Sequence, residues 1–462
     1  MKKSFAAALR QLQRQLPAGE LRLDAATLAA HAGDKWFARH QPQAVALPRS
    51  TGSVAKILRF ASQHRIPVTA RGAGHGYVGG CVPTRGGIVL SLARMNRIKQ
   101  IHAGDSVAVV QPGVITQKLQ DAVEAKGLFY PPDPASRSEC TLGGSLATNA
   151  GGPRCLKYGV TRDYVLGLRA VTGDGQTIRT GCRTTKGVTG YDLTRLLVGS
   201  GGTLALITEA TLKLLPAPEA VATLRVCFAG NHSALDAVGR VMHQSVMPCA
   251  LEFMDHRAID AIRPTGTADD LPEGTRALLM VEADGAVADL PRQIAALERA
   301  LAGDGLLEMK SGFTRDDITR LWAARKSLSH AVKQIAPLKI NEDVVVPVSE
   351  LAGFVDFIDH TANAHRLAVV SFGHAGNGNL HVNLMVHPDD ADEMERAHLA
   401  LDAIMLRVLA LGGTLSGEHG IGTEKRRFVP QEIDPATLDL MRAINRQFDP
   451  HGLLNPGKLF PD

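Results

Sequence analysis

Two hydrophobic periodicities alternate along the chain. In SVAKILRFASQHR the apolar residues Val54, Ile57, Leu58 and Ala61 recur at i, i+3, i+4 and i+7, the spacing of one helical face, with Ser53 available as the cap. Phe5, Leu9, Leu12 and Leu16 repeat that spacing at the start of the chain. Ile115, Leu119, Ala122 and Val123 predict a helix ended by Gly127, and Val348, Leu351, Phe354, Val355 and Ile358 share one face of another. Short runs between them read as strands: Pro67 to Ala70, Ile88 to Leu92, Val107 to Val110, VLGLRAVTGDGQTI with its turn at Gly173-Asp174-Gly175, and KINEDVVVP. Pro216 and Pro218 end this first pattern, and from about Glu219 longer helices separate the strands. The alternation predicts an α+β fold with a domain boundary near residue 218.

Composition narrows the reading. A chain of 462 residues, 45% hydrophobic and 21% charged, can bury a large core in two or three domains. Its net charge of +5 is spread along the chain, too weak a bias for a nucleic-acid partner, so a phosphate- or carboxylate-bearing ligand fits better. Arg10 and Gln11 interrupt the apolar start before it reaches the length of a signal peptide, and no apolar run approaches the roughly 18 residues of a membrane span. The expected location is cytoplasmic, peripheral to the inner face of a membrane only through a partner. The six cysteines show no C-x-x-C spacing, which excludes the usual iron–sulfur and zinc-ribbon patterns and leaves them as reduced, mostly buried thiols.

Three stretches carry candidate chemistry. In RGAGHGYVGG, from Arg71 to Gly80, so many glycines mean backbone lying close to a ligand, with N–H groups able to meet phosphate oxygens. Gly74, Gly76 and Gly79 formally match G-x-G-x-x-G, but CVPTRGG follows where a Rossmann helix is required, and Arg94, Arg97 and Lys99 stand where its acidic residue belongs. The long stretch FYPPDPASRSECTLGGSLATNAGGPRCLKYG reads as a second, irregular backbone cradle against which a large flat cofactor could lie. In SFGHAGNGNLHVNLMV, His374 and His381 flank a glycine-rich turn between two strands, and GTLSGEHGIGTEKRRF offers Glu418 as a third metal ligand with His419 beside it as a base.

These motifs, with PPDPAS, GTLALITEATLKLLP and NPGKLFP, resemble in order the flavin-linked 2-hydroxy-acid dehydrogenases of the vanillyl-alcohol oxidase superfamily, the glycolate oxidase flavin subunit and D-lactate dehydrogenase type. The resemblance implies a two-part FAD-binding domain over residues 1–218, an α+β cap bearing substrate and metal over 219–415, and a C-terminal segment, 416–462, returning to the flavin domain. It implies FAD contacts from Arg71, Gly72, Ala73, Gly74, His75, Gly76 and Tyr77, and from Pro132, Ile207 and Asn455. It extends them to Thr141, Gly143, Gly144, Ser145, Thr148, Asn149, Gly151 and Gly152. It further implies a divalent metal (zinc, manganese or iron) on His374, His381 and Glu418, with His419 as catalytic base and Asn383 beside the metal. Arg325 and Lys339 are candidates for the substrate carboxylate. One departure stands out: His75 occupies a position where these dehydrogenases commonly carry a small residue, and in covalent members of the superfamily a histidine of this loop is joined to the flavin.

The implied reaction is oxidation of a D-2-hydroxy acid, D-lactate or glycolate, to the 2-oxo acid. Electrons would pass to an iron–sulfur subunit, an electron-transfer flavoprotein or a quinone. The alternatives are a flavin oxidase of alcohols or sugars using oxygen, and a flavoprotein subunit whose own site is idle.

Overall fold

The computed structural model describes residues 2–36 and 38–461, which divide into two compact units. The first unit comprises the chain up to Gly151, Val160–Ala217 and the part from Glu418 onward; the second comprises Gly152–Gly159 and Pro218–Gly417.

Two large sheets and a two-stranded pair, Leu128–Phe129 with Leu215–Pro216, build the first unit. One has the order Leu21–Arg22, Ala44–Ala46, Ile88–Ser91, Val68–Arg71, with the last three strands parallel. The other is antiparallel, in the order Ile98–His102, Val107–Val110, Ala205–Lys213, Val165–Thr172, Thr177–Gly181. Parallel strands need cover on both faces. The helices Lys2–Gln15 and Thr51–His64 contribute to that cover, their Leu9, Leu12, Leu16, Val54, Ile57 and Leu58 joining Ile88, Leu90, Val171 and Leu206 in one core. The cap of the second helix is Ser50, in extended conformation at φ −148, whose hydroxyl oxygen accepts from Ser53 N; it lies three positions before the cap expected from the apolar periodicity. Periodicity marks the buried face and not the first turn, where the apolar rule has nothing to act on. The chain end returns to this sheet: Val68 N donates to Leu453 O at 2.8 Å and Asn455 N to Val68 O at 2.7 Å.

The second unit is a seven-stranded antiparallel sheet in the order Leu306–Gly312, Ala220–Phe228, Ala277–Gly285, Ala250–Met254, Ala368–Gly373, Asn379–Val386, Leu338–Val345. Strand alternation sorts Asn379–Val386 into two faces. Leu380, Val382, Leu384 and Val386 lie on one, the side where Leu351–Ala364 and Ala391–Ala410 pack; Asn379, His381, Asn383 and Met385 lie on the other. Cross-strand partners extend the second face through Phe372, Met254, Leu278 and Met280, and the helices His256–Ile262, Arg315–Leu321 and Ala323–Ala331 close over it with Ala258, Ile259, Leu321, Ala324 and Leu328. The face is apolar under those helices and polar at one end, and that end carries the candidate chemistry.

The segment Gly152–Gly159 belongs with this second sheet. Tyr158 OH donates to Asp284 Oδ2 at 2.7 Å, Lys157 Nζ donates to Asp284 O at 3.0 Å, and the Arg154 guanidinium stands 3.7 Å from Glu282 Oε1. Gly152 is the first residue of that segment, whereas Gly151 closes the preceding stretch of the first unit.

Candidate active site

In the first unit, the loop from Arg71 leaves the end of Val68–Arg71 with its own arginine folded beneath it. Arg71 Nη1 donates to Gly33 O at 2.6 Å and lies 3.2 Å from Cys81 Sγ; a Cβ on Gly74, at φ +78, would collide with the same guanidinium. Arg71 therefore braces the loop. A Cβ on Gly72 would stand 2.5 Å from Thr141 Oγ1 and 3.5 Å from Gly144 Cα, so the two glycine-rich stretches meet backbone to backbone. Beyond Gly72 and Gly74, Ala73 and Gly76 leave main chain uncovered between Arg71, His75 and Tyr77.

The second stretch is not irregular throughout, as expected from its glycines. Residues Leu142–Thr148 form a helix, capped by Thr141 and ended by Asn149 in left-handed conformation at φ 54. The glycines serve packing here: a Cβ on Gly143 would meet Pro112 Cβ at 2.6 Å. Ser145 is buried, and the Thr148 hydroxyl donates to Gly144 O at 3.3 Å. Asn149 Oδ1 accepts from Arg162 N at 2.8 Å, and Pro132 O accepts from Gln120 Nε2 at 2.9 Å. Ile207 pairs with Ala170 inside the antiparallel sheet. Asn455 is buried and donates from Nδ2 to Gly80 O at 3.0 Å and Gly201 O at 2.7 Å. Arg71, Asn149 and Asn455 thus direct their side chains at protein backbone. His75 Nδ1 lies 3.2 Å from Glu139 Oε2; burial, then the charge of Lys35, pulls its imidazole below the usual value against the carboxylate's effect. Bare main chain from two segments in contact suits a flat, phosphate-bearing group such as FAD.

In the second unit the two histidines come together across the turn. Phe372 pairs with His381, the one-turn helix Ala375–Asn377 follows His374, and Gly378 turns the chain at φ 73. The rings of His374 and His381 stand edge to face with centroids 5.4 Å apart. His374 Nδ1 hydrogen-bonds Glu252 Oε1, so Nε2 is the ring nitrogen that could meet a metal ion. Glu252, fully buried, also receives Arg325 Nη2 at 3.0 Å and Nε at 3.2 Å, and the guanidinium lies over the Phe372 ring at 4.8 Å. Burial pushes the Glu252 carboxyl up, and the charges of His374 and Arg325 outweigh it, so the group is held below its ordinary value.

On the other side of the pair, Asp343 is fully buried, 4.0 Å from His381 Nδ1, and accepts from Asn379 Nδ2 at 2.7 Å and Ser416 Oγ at 3.1 Å. Asn383 has no exposed surface. Its Nδ2 donates to Val370 O and His381 O, each at 3.0 Å, and its Oδ1 accepts from Asn341, so it fixes the main chain on which His381 sits. Lys339 occupies the same strand face as Asp343 but four residues away, roughly 13 Å along the strand.

Glu418 is reached through its bond to Gly417, where a Cβ would meet Asn379 Nδ2 at 2.5 Å and Asp343 Oδ1 at 3.1 Å. One donor atom each of His374, His381 and Glu418 lies within 4.8 Å of the others. Two imidazoles and one carboxylate are a donor set that fits a divalent cation. His419 follows, its ring 5.2 Å from that of Tyr77 in the first unit to which both belong. Glu252 and Asp343 are the site residues that sequence reasoning passed over, because each stands in a run, ALEFM or INEDVVV, that reads as a core strand.

Residues 42–181 match the family described as FAD binding domain, and residues 217–459 match FAD linked oxidases, C-terminal domain. The chain is 41% identical to the glycolate oxidase subunit GlcD of Bacillus subtilis (strain 168), over 91% of its own length and 89% of that protein's. It is 36% identical to the D-lactate dehydrogenase of Archaeoglobus fulgidus, over 90% of each. In fold it is similar to p-cresol methylhydroxylase with substrate bound, at a TM-score of 0.80 and 17% identity over 99% and 97% of the two chains, so the two share an α+β architecture. The protein is an FAD-dependent oxidoreductase. It belongs to the FAD-linked oxidase family, with the glycolate oxidase and D-lactate dehydrogenase type as its relatives.

Proposed function

We propose that the protein oxidises a D-2-hydroxy acid, D-lactate or glycolate, to the corresponding 2-oxo acid. The observation that carries this reading is the donor set His374, His381 and Glu418 with His419 as the next residue of the chain. Bound FAD supplies the acceptor for the C2 hydride, and a bound zinc, manganese or iron(II) ion supplies charge for the substrate's hydroxyl and carboxylate oxygens. The chain's residues do the rest. The loop from Arg71 to Tyr77 and the stretch from Thr141 to Gly152 hold the FAD, with His75 either joined to it or hydrogen-bonded. His374, His381 and Glu418 hold the cation. His419 takes the proton of the substrate hydroxyl at a ring nitrogen, and Arg325 and Lys339 are the cations for its carboxylate. Asn383 contributes by fixing the His381 main chain. The second unit is thus the substrate domain.

The name of the Bacillus subtilis relative calls it a subunit, and this supports an electron-accepting partner here: an iron–sulfur subunit, an electron-transfer flavoprotein or a quinone. Among the described residues no helix is long and apolar enough to cross a membrane. The reading keeps a cytoplasmic location, with any membrane acceptor reached through that partner.

The test is anaerobic bleaching of the flavin by glycolate, D-lactate, L-lactate and D-2-hydroxyglutarate, each with and without a chelator. Rapid bleaching by glycolate or one D-acid, abolished by the chelator, is expected. Bleaching by alcohols or sugars instead, or by none of these compounds, would replace this reading with an alcohol oxidase or an idle subunit. Acid precipitation distinguishes the two roles of His75, since a linked flavin stays in the pellet and a noncovalent one enters the supernatant.

A further inference from the structure

Sheet register places Glu252 directly opposite His374: Met254 pairs with Phe372 and Phe253 with Gly373, so the next antiparallel step brings 252 against 374. The strand Ala250–Met254 is buried along its whole length, and an ionisable side chain at its centre has no access to water. Such a group is tolerated only where both oxygens find charged or polar partners. Here one oxygen accepts from His374 Nδ1 and the other accepts from Nε of Arg325, with Nη2 of the same guanidinium 3.0 Å away in an ion pair. The helix Ala323–Ala331 delivers Arg325, and the Phe372 ring backs the guanidinium at 4.8 Å. One carboxylate therefore joins a proposed cation ligand to a proposed substrate-binding cation.

We propose that Glu252 is the positioning residue that couples the two halves of the substrate site. By accepting the Nδ1 proton it sets the His374 tautomer and turns Nε2 to the metal. By occupying Nε and Nη2 of Arg325 it fixes the plane of the guanidinium and leaves Nη1 for the substrate carboxylate. A divalent cation and a hydroxy-acid carboxylate then bind to one preorganised arrangement, so loss of Glu252 weakens both. The inference rests on the metal and substrate roles proposed above.

The test is Glu252→Gln, which keeps the shape and removes the charge, measured in the flavin-loaded protein. The first readout is Mn²⁺ affinity by electron paramagnetic resonance without substrate; the second is the division of the kinetic effect between KM and kcat. We expect Mn²⁺ to bind about 10–100-fold more weakly, the size typical of losing a partner behind a metal-bound histidine. KM for the hydroxy acid is expected to rise, with the flavin spectrum unchanged. If the amide variant does not fold, Glu252→Asp replaces it: the shorter side chain cannot reach both partners, and several-fold weaker Mn²⁺ binding is expected. Wild-type affinity in the folded variant overturns the inference alone. A wild-type protein that binds no divalent cation overturns the proposed metal site, and this inference with it.

Discussion

Thr423 donates to the Val78 carbonyl twice, from its backbone N–H at 2.8 Å and from its hydroxyl at 3.1 Å, tying the glycine loop that contains His75 to the segment that carries His419. The contact is close enough that Gly422, at φ +55, has Val78 O at 1.9 Å from where a Cβ would stand. Gly422→Ala must therefore open the tie as well as strain the backbone, at about 1–3 kcal/mol. The expected outcome is a lower melting temperature and a lower ratio of flavin to protein absorbance after purification.

His419→Ala tests the base. Removing a positioned proton acceptor is expected to lower kcat by about 10²–10⁴-fold. FAD content and Mn²⁺ affinity should remain at wild-type levels, because neither is assigned to this ring. Retention of most of the turnover would refute the assignment.

Removal of the cation is expected to stop substrate-driven bleaching while leaving the flavin in place, and added Mn²⁺ or Zn²⁺ should restore it. His381→Ala should behave as the chelated protein does and resist restoration. A chelated protein that still bleaches at the wild-type rate would exclude the metal from the reaction.

Asp255 sets a pH dependence of the second unit. It caps the helix His256–Ile262 by accepting from Ala258 N at 2.7 Å and also accepts from Ser371 N at 2.8 Å. Burial nevertheless dominates those bonds and pushes its carboxyl up to about 7 from an ordinary 3.8. The sign follows from proton counting: between these values the folded protein holds a proton that the unfolded chain has released, so stability from this group falls as pH rises through the window. In a Trp36→Phe background, Trp322 is the single remaining tryptophan and reports unfolding of the second unit. Asp255→Asn is expected to make the decline in its melting temperature between pH 4 and pH 7 shallower; an unchanged slope would show that Asp255 is ionised in the folded state.

The amino-acid order by itself determined the apolar faces of the helices, since Val54, Ile57 and Leu58, or Leu351, Phe354 and Val355, are buried at the spacing that geometry demands. It also determined where side chains had to be missing. Glycine at 72 and 74 shows that something passes close, and the histidine pair around a glycine turn marks a candidate ligand set from neighbours in the chain. Tertiary structure alone decided what backs those residues. Glu252 is separated from His374 by 122 positions and meets it because two antiparallel strands share a register. Local periodicity describes which face a side chain takes and says nothing about which distant strand lies beside it. A carboxylate inside ALEFM reads as an exception to a core strand until the sheet supplies an arginine and an imidazole for its two oxygens. The same holds for Asn383 and Asn455, whose amides fasten main chain from other elements, and for Gly143, whose missing side chain admits Pro112 rather than a ligand. Residue type and spacing announce a group's chemistry, but its partners are chosen by the packing of segments remote in sequence, where desolvation makes each pairing decisive.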